Sequence, residues 1–271
     1  MKHRKYLIPE ICMILFTMLM ISPLLIMVFG AFKDSVGAAA FDFTLPKQWE
    51  FGNFSFVIQN GNVVRAFINS LILTGFTTVF GVLLAAMAAF VIVRKDTKGS
   101  KGIYNYFLIG MIAPLQIITT YAVLKVLHLN GTFIGLIMVY IAVNLPFNFF
   151  LFCSFIKGIP RELDESGFMD GASQSCLFFK IIFPLLKPVT ATSIVILAMS
   201  VWNDFQLPLY LLNTPKKWTL PLTVYNFYGQ YYSKWNYVFA DCIITAVPIL
   251  IVYLFAQKYI VEGMTSGAVK G

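Results

Sequence analysis

The sequence predicts an all-α integral membrane protein with six transmembrane helices, and three observations carry that prediction. Hydrophobic residues fill 59% of the 271 positions and charged residues only 12%, with a mean hydropathy of +0.79, far from the composition of a soluble domain. Six apolar runs, at about 7–32, 66–93, 103–126, 132–156, 189–212 and 237–260, each reach the roughly 20 residues that cross a hydrocarbon core. Between the fourth and fifth runs lies one long water-facing segment, 157–188.

The first run follows Lys2, His3, Arg4 and Lys5, which invites a signal-peptide reading. It exceeds the roughly 7–15 residues of a signal core, and Lys33 and Asp34 separate it from Ala38, Ala39 and Ala40, so a retained span is expected. An even number of spans puts both termini on one side. With that side cytoplasmic, 13 of the 20 Lys and Arg residues lie inside and seven outside. The short loop with Arg94, Lys95, Lys98 and Lys101 is the most basic, where the positive-inside rule is most reliable. The termini and the 157–188 segment are therefore expected in the cytoplasm. With no repeat or linker visible, residues 1–271 read as a single membrane domain.

Within 157–188, Pro160 suits a first helical turn, and Glu162, Asp164 and Glu165 place negative charge where a helix dipole favours it. Gly171 can adopt the left-handed conformation that ends a helix. Ser173 can cap a second helix running through Phe178 and Ile182 to Pro184, with Pro184 and Pro188 breaking it before the fifth span. Two short helices form a protruding elbow.

The net charge of +8 fits membrane topology better than nucleic acid, because no compact basic patch is interleaved with exposed aromatics. Cys12, Cys153, Cys176 and Cys242 are scattered without metal-ligand spacing and read as packing residues. No phosphate-binding loop, zinc-protease motif or nucleophile elbow is present, and His3 and His128 stand alone. No catalytic residue, metal site or bound cofactor is expected.

Polar groups inside the spans are the remaining candidates. Gln116, Tyr140, Asn144, Asn148, Asn203, Asp204 and Gln206, with Pro114, Pro146 and Pro208 nearby, can line a translocation path. The alternative is interhelical glue, and for Asp204 a structural hydrogen-bond partner. Amides beside aromatic faces suit a sugar. The 213–236 loop carries Trp218, Tyr225, Phe227, Tyr228, Tyr231, Tyr232 and Trp235, which read either as an interfacial belt or as a docking surface.

The elbow contains Glu165-Ser166-Gly167, then Gly171, then Ile181-Ile182-Phe183-Pro184. This resembles the loop signature of importer permeases of the ATP-binding-cassette superfamily: E-A-A, three residues, G, nine residues, I-x-L-P. Asn69-Ser70, Leu145-Pro146-Phe147, 159–163, Trp202-Asn203-Asp204-Phe205 and the tail 259–271 extend the likeness to carbohydrate-importer permeases related to the smaller permease of the maltose transporter.

The resemblance implies a type I importer permease in a bacterial inner or plasma membrane. It would pair with a second permease, two ATPase subunits that hold ATP and magnesium, and an extracytoplasmic sugar-binding protein. The elbow would be the coupling helix, with Glu165 pairing with a basic residue of the ATPase, Gly171 allowing the turn, and Asp170 and Ala172 lining the contact. Ser166 and Gly167 stand where the family has alanines. Tyr225, Phe227, Tyr228, Tyr231 and Tyr232 would approach the binding protein, and the 263–271 tail the ATPase dimer. The rival readings are an ion-coupled secondary transporter using Asp204 and Asp241, and an assembly subunit that moves nothing.

Overall fold

All six apolar runs fold as helices, and two of them do so in pieces. The structure, a computed structural model, describes residues 7–95, 97–229 and 233–268. The chain begins with α1 (Leu7–Ala31), α2 (Ser35–Ala39), α3 (Gly52–Asn60) and α4 (Val63–Arg94). It continues through α5 (Lys98–Ile112), α6 (Ile117–Val126), α7 (Phe133–Ile156) and α8 (Glu162–Met169). Next come α9 (Gln174–Cys176), a π-helical turn (Leu177–Ile182) and α10 (Phe183–Leu185). α11 (Lys187–Trp202), α12 (Gln206–Leu211), 3-10 turns at Pro215–Lys217 and Leu220–Asn226, and α13 (Trp235–Ala268) complete the order.

Among the described residues, α1, α4, α7 and α13 each supply a helix long and apolar enough to cross a membrane alone. The bent pair Gln174–Leu185 and Lys187–Trp202, with axes at 81°, offers a fifth crossing. Six uninterrupted spans are therefore not what forms. The third run breaks between α5 and α6 because Pro114 has no N–H and disfavours helical geometry at Ala113, which turns extended at φ −66°, ψ 123°. The fifth run breaks between α11 and α12 at Asn203, Asp204 and Phe205. Pro146, by contrast, sits buried inside an unbroken α7, so it does not interrupt that span.

The chain groups into two compact units, Met1–Phe67 with Leu220–Pro248, and Ile68–Thr219 with Ile249–Gly271. The first is pinned by amides reaching backbone carbonyls. Buried Asn53 donates from Nδ2 to the carbonyls of Ala31 at 2.8 Å and Lys33 at 2.9 Å, and its Oδ1 accepts from Asn236 Nδ2 at 2.9 Å. Asn226 donates to the carbonyl of Gly61 at 3.0 Å. Gly30 lies so close to the Phe239 ring that a Cβ has no room there, so α1 and α13 meet at contact distance. Buried Asp241 is met by the Thr223 hydroxyl at 2.9 Å. At the unit's edge Lys33 binds Asp42, with the Thr44 hydroxyl also donating to that carboxylate, and these bonds hold its pKa at about 2. The Lys33–Asp42 pair is thus fully formed above the usual carboxylate pKa and weakens only as pH falls toward 2.

The second unit holds the larger apolar core. Ala85, Ala86 and Ala89 on α4 are fully buried, as are Phe149, Phe152 and Ile156 on α7. Small residues let backbones approach: a Cβ on Gly81 would come within 2.8 Å of Leu197 Cδ2 on α11. Asn69 Nδ2 donates to the carbonyls of Lys216 at 3.1 Å and Trp218 at 2.9 Å, tying the segment after α12 to the start of this unit.

Replacing Asn53 by alanine orphans two buried carbonyls and the Asn236 amide, and is expected to cost about 3 kcal/mol. Thermal unfolding of the detergent-solubilised chain checks this, and an unchanged midpoint refutes it.

Candidate functional site

Two sets of the nominated residues come together in the second unit. The first is the elbow. α8 starts at Glu162, two residues after Pro160, and places Glu162, Asp164 and Glu165 in its first turn. It ends as a paired-bond glycine cap: Gly171 sits at φ +78°, its N–H donates to the carbonyl of Phe168 at 3.0 Å, and the Ala172 N–H reaches the carbonyl of Gly167 at 3.0 Å. Ser173 then caps the next helix, its hydroxyl accepting from the Cys176 N–H at 3.2 Å. Pro184 does not end that helix. It sits in α10, which follows directly on the π-helical turn Leu177–Ile182 within a continuous helix, and the chain bends only at Leu186.

The burial pattern of α8 is inverted. It buries Gly167 and half-buries Asp164, while Phe168 and Met169 are 50% and 88% exposed and Glu165 faces water. Gly167 is where the two arms of the elbow touch. A Cβ there would stand 2.9 Å from Leu177 Cδ1 and 3.1 Å from Ile181 Cδ1, so the departure from alanine lets the arms close together. Ser166, the other departure, turns its hydroxyl back to the carbonyl of Glu162 at 2.9 Å. Asp170 is exposed at the end of α8, and Ala172 is half-buried just beyond it.

Two residues that sequence reasoning did not assign to the site hold the elbow in place. Arg94, the last residue of α4, sets its Nε 2.6 Å from Asp164 Oδ2, and its Nη2 donates to Oδ1 at 3.2 Å. Its Nη1 donates to the carbonyl of Ile159 at 3.1 Å. Both side chains are about seven-eighths buried, with exposures of 12% and 13%. Arg94 counted only as positive charge in a basic loop, and a partner 70 positions away leaves no local signal.

The second set lies around the break in the fifth run, where a cleft of about 480 Å³ is lined by Tyr140, Asn144, Ser200, Asn203 and Asp204 among apolar neighbours. Tyr140 donates to Asp204 Oδ2 at 2.9 Å, and Oδ1 accepts from the Gln206 N–H at 2.9 Å, so Asp204 restarts the helix at α12. Ser200 donates to Asn144 Oδ1 at 3.2 Å across the cleft wall. Tyr140 and Asn144 are four apart on α7, Ser200 and Asn203 are three apart along the other wall, and that helical spacing is the signal that could have singled out Ser200.

The other three nominated path residues lie elsewhere. Asn148 is buried, accepts from the Ser193 hydroxyl at 2.5 Å and donates to the Asn144 carbonyl, which makes it a helix-to-helix tie. Gln116 is exposed at the start of α6, and Gln206 is exposed beyond the cleft.

In the first unit, Phe227 is only 8% exposed and packs against Phe56 and Tyr237, with ring centroids 6.4 and 5.8 Å away. It supports its loop from within and presents no outward face. Tyr225 and Tyr228 are exposed, and Tyr231 and Tyr232 lie outside the described residues.

Several apolar helices, a rigid elbow between two of them and a polar cleft at a broken span define a multi-pass membrane permease. The chain belongs to the family of binding-protein-dependent transport system inner membrane components, whose model matches residues 78–266. It is 36% identical to the multiple sugar-binding transport system permease protein of Streptococcus mutans serotype c, over 93% of this chain and 92% of that one. It is 34% identical to a probable starch degradation products transport system permease protein of Thermoanaerobacterium thermosulfurigenes, over 98% and 97%. With the melibiose/raffinose/stachyose import permease protein of Bacillus subtilis the identity is 33% over 83% of each. The fold matches a chain of a bacterial ABC transporter involved in the import of the acidic polysaccharide alginate, with a TM-score of 0.82 over 95% of this chain and 96% of that one at 20% identity.

Replacing Arg94 by leucine leaves the half-buried Asp164 carboxylate alone and is expected to cost about 3 kcal/mol, while adding Asp164→Leu restores most of it. A double-variant cycle on thermal midpoints reads the coupling, and additive losses refute it. Asp204→Ala removes a helix cap and a hydroxyl partner and is expected to cost about 2 kcal/mol, whereas Asp204→Asn keeps the cap and loses less than half of that. Equal losses in the two variants would show that Asp204 does not act as the cap.

Proposed function

We propose that this chain is one of two different permease subunits of an ATP-driven oligosaccharide importer, with α8 as the helix that takes up the stroke of a partner ATPase. The observation that carries the coupling role is the inverted burial of α8. A short helix that exposes Phe168, Met169 and Glu165 while an ion pair and a glycine contact fix its inner side is built to be covered by another protein. Glu165 meets a basic residue of the ATPase, and Asp170, Gly171 and Ala172 border that contact. Gly167 keeps the helix shut against Leu177 and Ile181, and exposed Ser166, next to Glu165, joins the border of the ATPase contact.

ATP and magnesium belong to the two ATPase subunits, since this chain has no phosphate-binding loop. The elbow, the basic loop after α4 and both termini face the cytoplasm, following the charge distribution. The 263–271 tail approaches the ATPase dimer. Tyr225 and Tyr228, exposed in the 213–236 loop, are the residues of this chain that would meet an extracytoplasmic sugar-binding protein, the nominated Tyr231 and Tyr232 lying outside the described residues. That such a protein is a partner is supported by a structural neighbour described as an alginate transporter in complex with a pentasaccharide-bound periplasmic protein, with a TM-score of 0.67 at 19% identity.

The sugar class is supported by relatives named for melibiose, raffinose and stachyose and for starch degradation products. In this chain Asn144, Asn203 and Asp204 offer amides and a carboxylate to hydroxyl groups from one cleft, and buried Tyr140 holds Asp204 in place there. ATPase closure pushes α8, and the connection through α10 and the 81° bend passes that push to α11, whose far end lines the cleft. Alternating access then follows if ATP and loaded binding protein favour the same outward-facing state.

The test is purification of the tagged chain from its native membranes, as wild type and as Glu165→Ala. The wild type is expected to retain a second permease and an ATPase. Because Glu165 is exposed, the variant folds normally, yet it retains the ATPase about 30-fold less well, as expected for truncating one member of a covered charge pair. Undiminished ATPase retention and normal sugar uptake in the variant would refute the coupling role.

A further inference from the structure

A basic recess in the second unit plays no part in the importer reading. It opens between the end of α4, the start of α5 and the end of α7, with a volume of about 910 Å³. Arg94, Lys95, Lys101, Lys157 and Arg161 line it, and among the described residues of its wall Glu162 is the one carboxylate. Arg94 forms an ion pair with Asp164, and the lining as a whole carries five basic side chains against that single acid.

The wall is two-sided in character. Ile92, Val93, Ile159 and the Tyr104 ring form an apolar side continuous with the helices that cross the membrane, while the cations sit where those helices end. Lys157 Nζ is held 5.3 Å from the centre of the Tyr104 ring, so one cation is stationed at the junction of the two surfaces. α5, a helix of 15 residues, contributes its first turn through Ser100 and Lys101, adding its positive dipole end to the cationic side. A small inorganic anion would use the cations and leave the apolar side uncovered. An amphiphile with a negative head uses both.

We propose that this recess is a binding site for the phosphate headgroup of an anionic phospholipid, with the glycerol and upper acyl carbons lying against Ile92, Val93 and Tyr104. The site is independent of the sugar reading. It abuts the scaffold of the elbow, because Arg94 and Ile159 line the recess and also hold Asp164 and the chain leading into α8. A bound headgroup therefore stiffens the base on which α8 stands.

The test uses the full complex purified in mild detergent with whatever subunits it retains. Native mass spectrometry after titration with phosphatidylglycerol, and separately with phosphatidylcholine, counts retained lipids, and thermal shift reports stabilisation. The wild type is expected to keep one more phosphatidylglycerol than the variant Lys95→Gln/Lys101→Gln/Lys157→Gln, and the variant to bind that lipid on the order of 100-fold more weakly, about fivefold for each of the three cations lost. The matching Lys→Arg variant at the three positions keeps the lipid and shows that charge rather than packing is being read. Inorganic phosphate at millimolar concentration gives no shift.

Equal phosphatidylglycerol counts in wild type and the glutamine variant overturn the site, as does wild-type binding that does not distinguish the two lipids. Stabilisation by inorganic phosphate alone overturns the lipid in favour of a free anion. Should the glutamine variant fail to fold, loss of the same lipid in single Lys157→Gln supports the site, and its full retention there overturns it. The subunit composition of the same preparations reports separately on the importer reading.

Discussion

A break in a helix that crosses a bilayer exposes backbone groups where no water can reach them, and this constraint organises the second unit. The chain answers it with side chains placed at the break itself. Where α11 stops, the Asp204 carboxylate takes the N–H of Gln206 and is in turn held by the Tyr140 hydroxyl. The groups needed to make the interruption affordable are thereby the groups that give the cleft its polarity. The structural alternative for Asp204 is met by these two bonds, and its place in the cleft wall is what the proposed path role rests on.

The elbow follows a related logic at the membrane edge. Its inner side carries a glycine and a paired aspartate, so its fixed attachments are a contact of closest approach and a nearly buried ion pair rather than an apolar core. That frees its large apolar residues to face outward. This exposed apolar surface is the feature on which the proposed docking of a partner rests.

The sequence showed most clearly what is decided locally. The positions of the apolar runs, the glycine turn at Gly171, the cap at Ser173 and the exposure of Glu165 depend on neighbours a few residues away, and they stand where the pattern put them. What the pattern could not show depends on distant contacts. Nothing near Arg94 announces Asp164, and nothing near Gly167 says that Leu177 and Ile181 will close on it. Prolines were a middle case: Pro114 opens the backbone, but Pro146 is carried inside α7 and Pro184 lies near the start of a turn, so the residue type alone did not settle its effect. Among the seven polar path candidates, the four that share the cleft do so because α7 and α11 pack there, which helical spacing suggests only after the pairing of helices is known.

The π-helical turn at Leu177–Ile182 stores one residue more than an α-helix of the same rise needs. Deleting a single residue in that turn would restore ordinary winding and leave the segments on either side in nearly the same angular setting, because the wider turn absorbs its surplus residue within itself. What would change is local: the side chains that stand where Leu177 and Ile181 now meet Gly167 would be replaced by their neighbours in sequence. The closure of the two arms of the elbow is therefore adjustable in evolution by a one-codon change in length, without altering either the outer surface of α8 or the lining of the cleft.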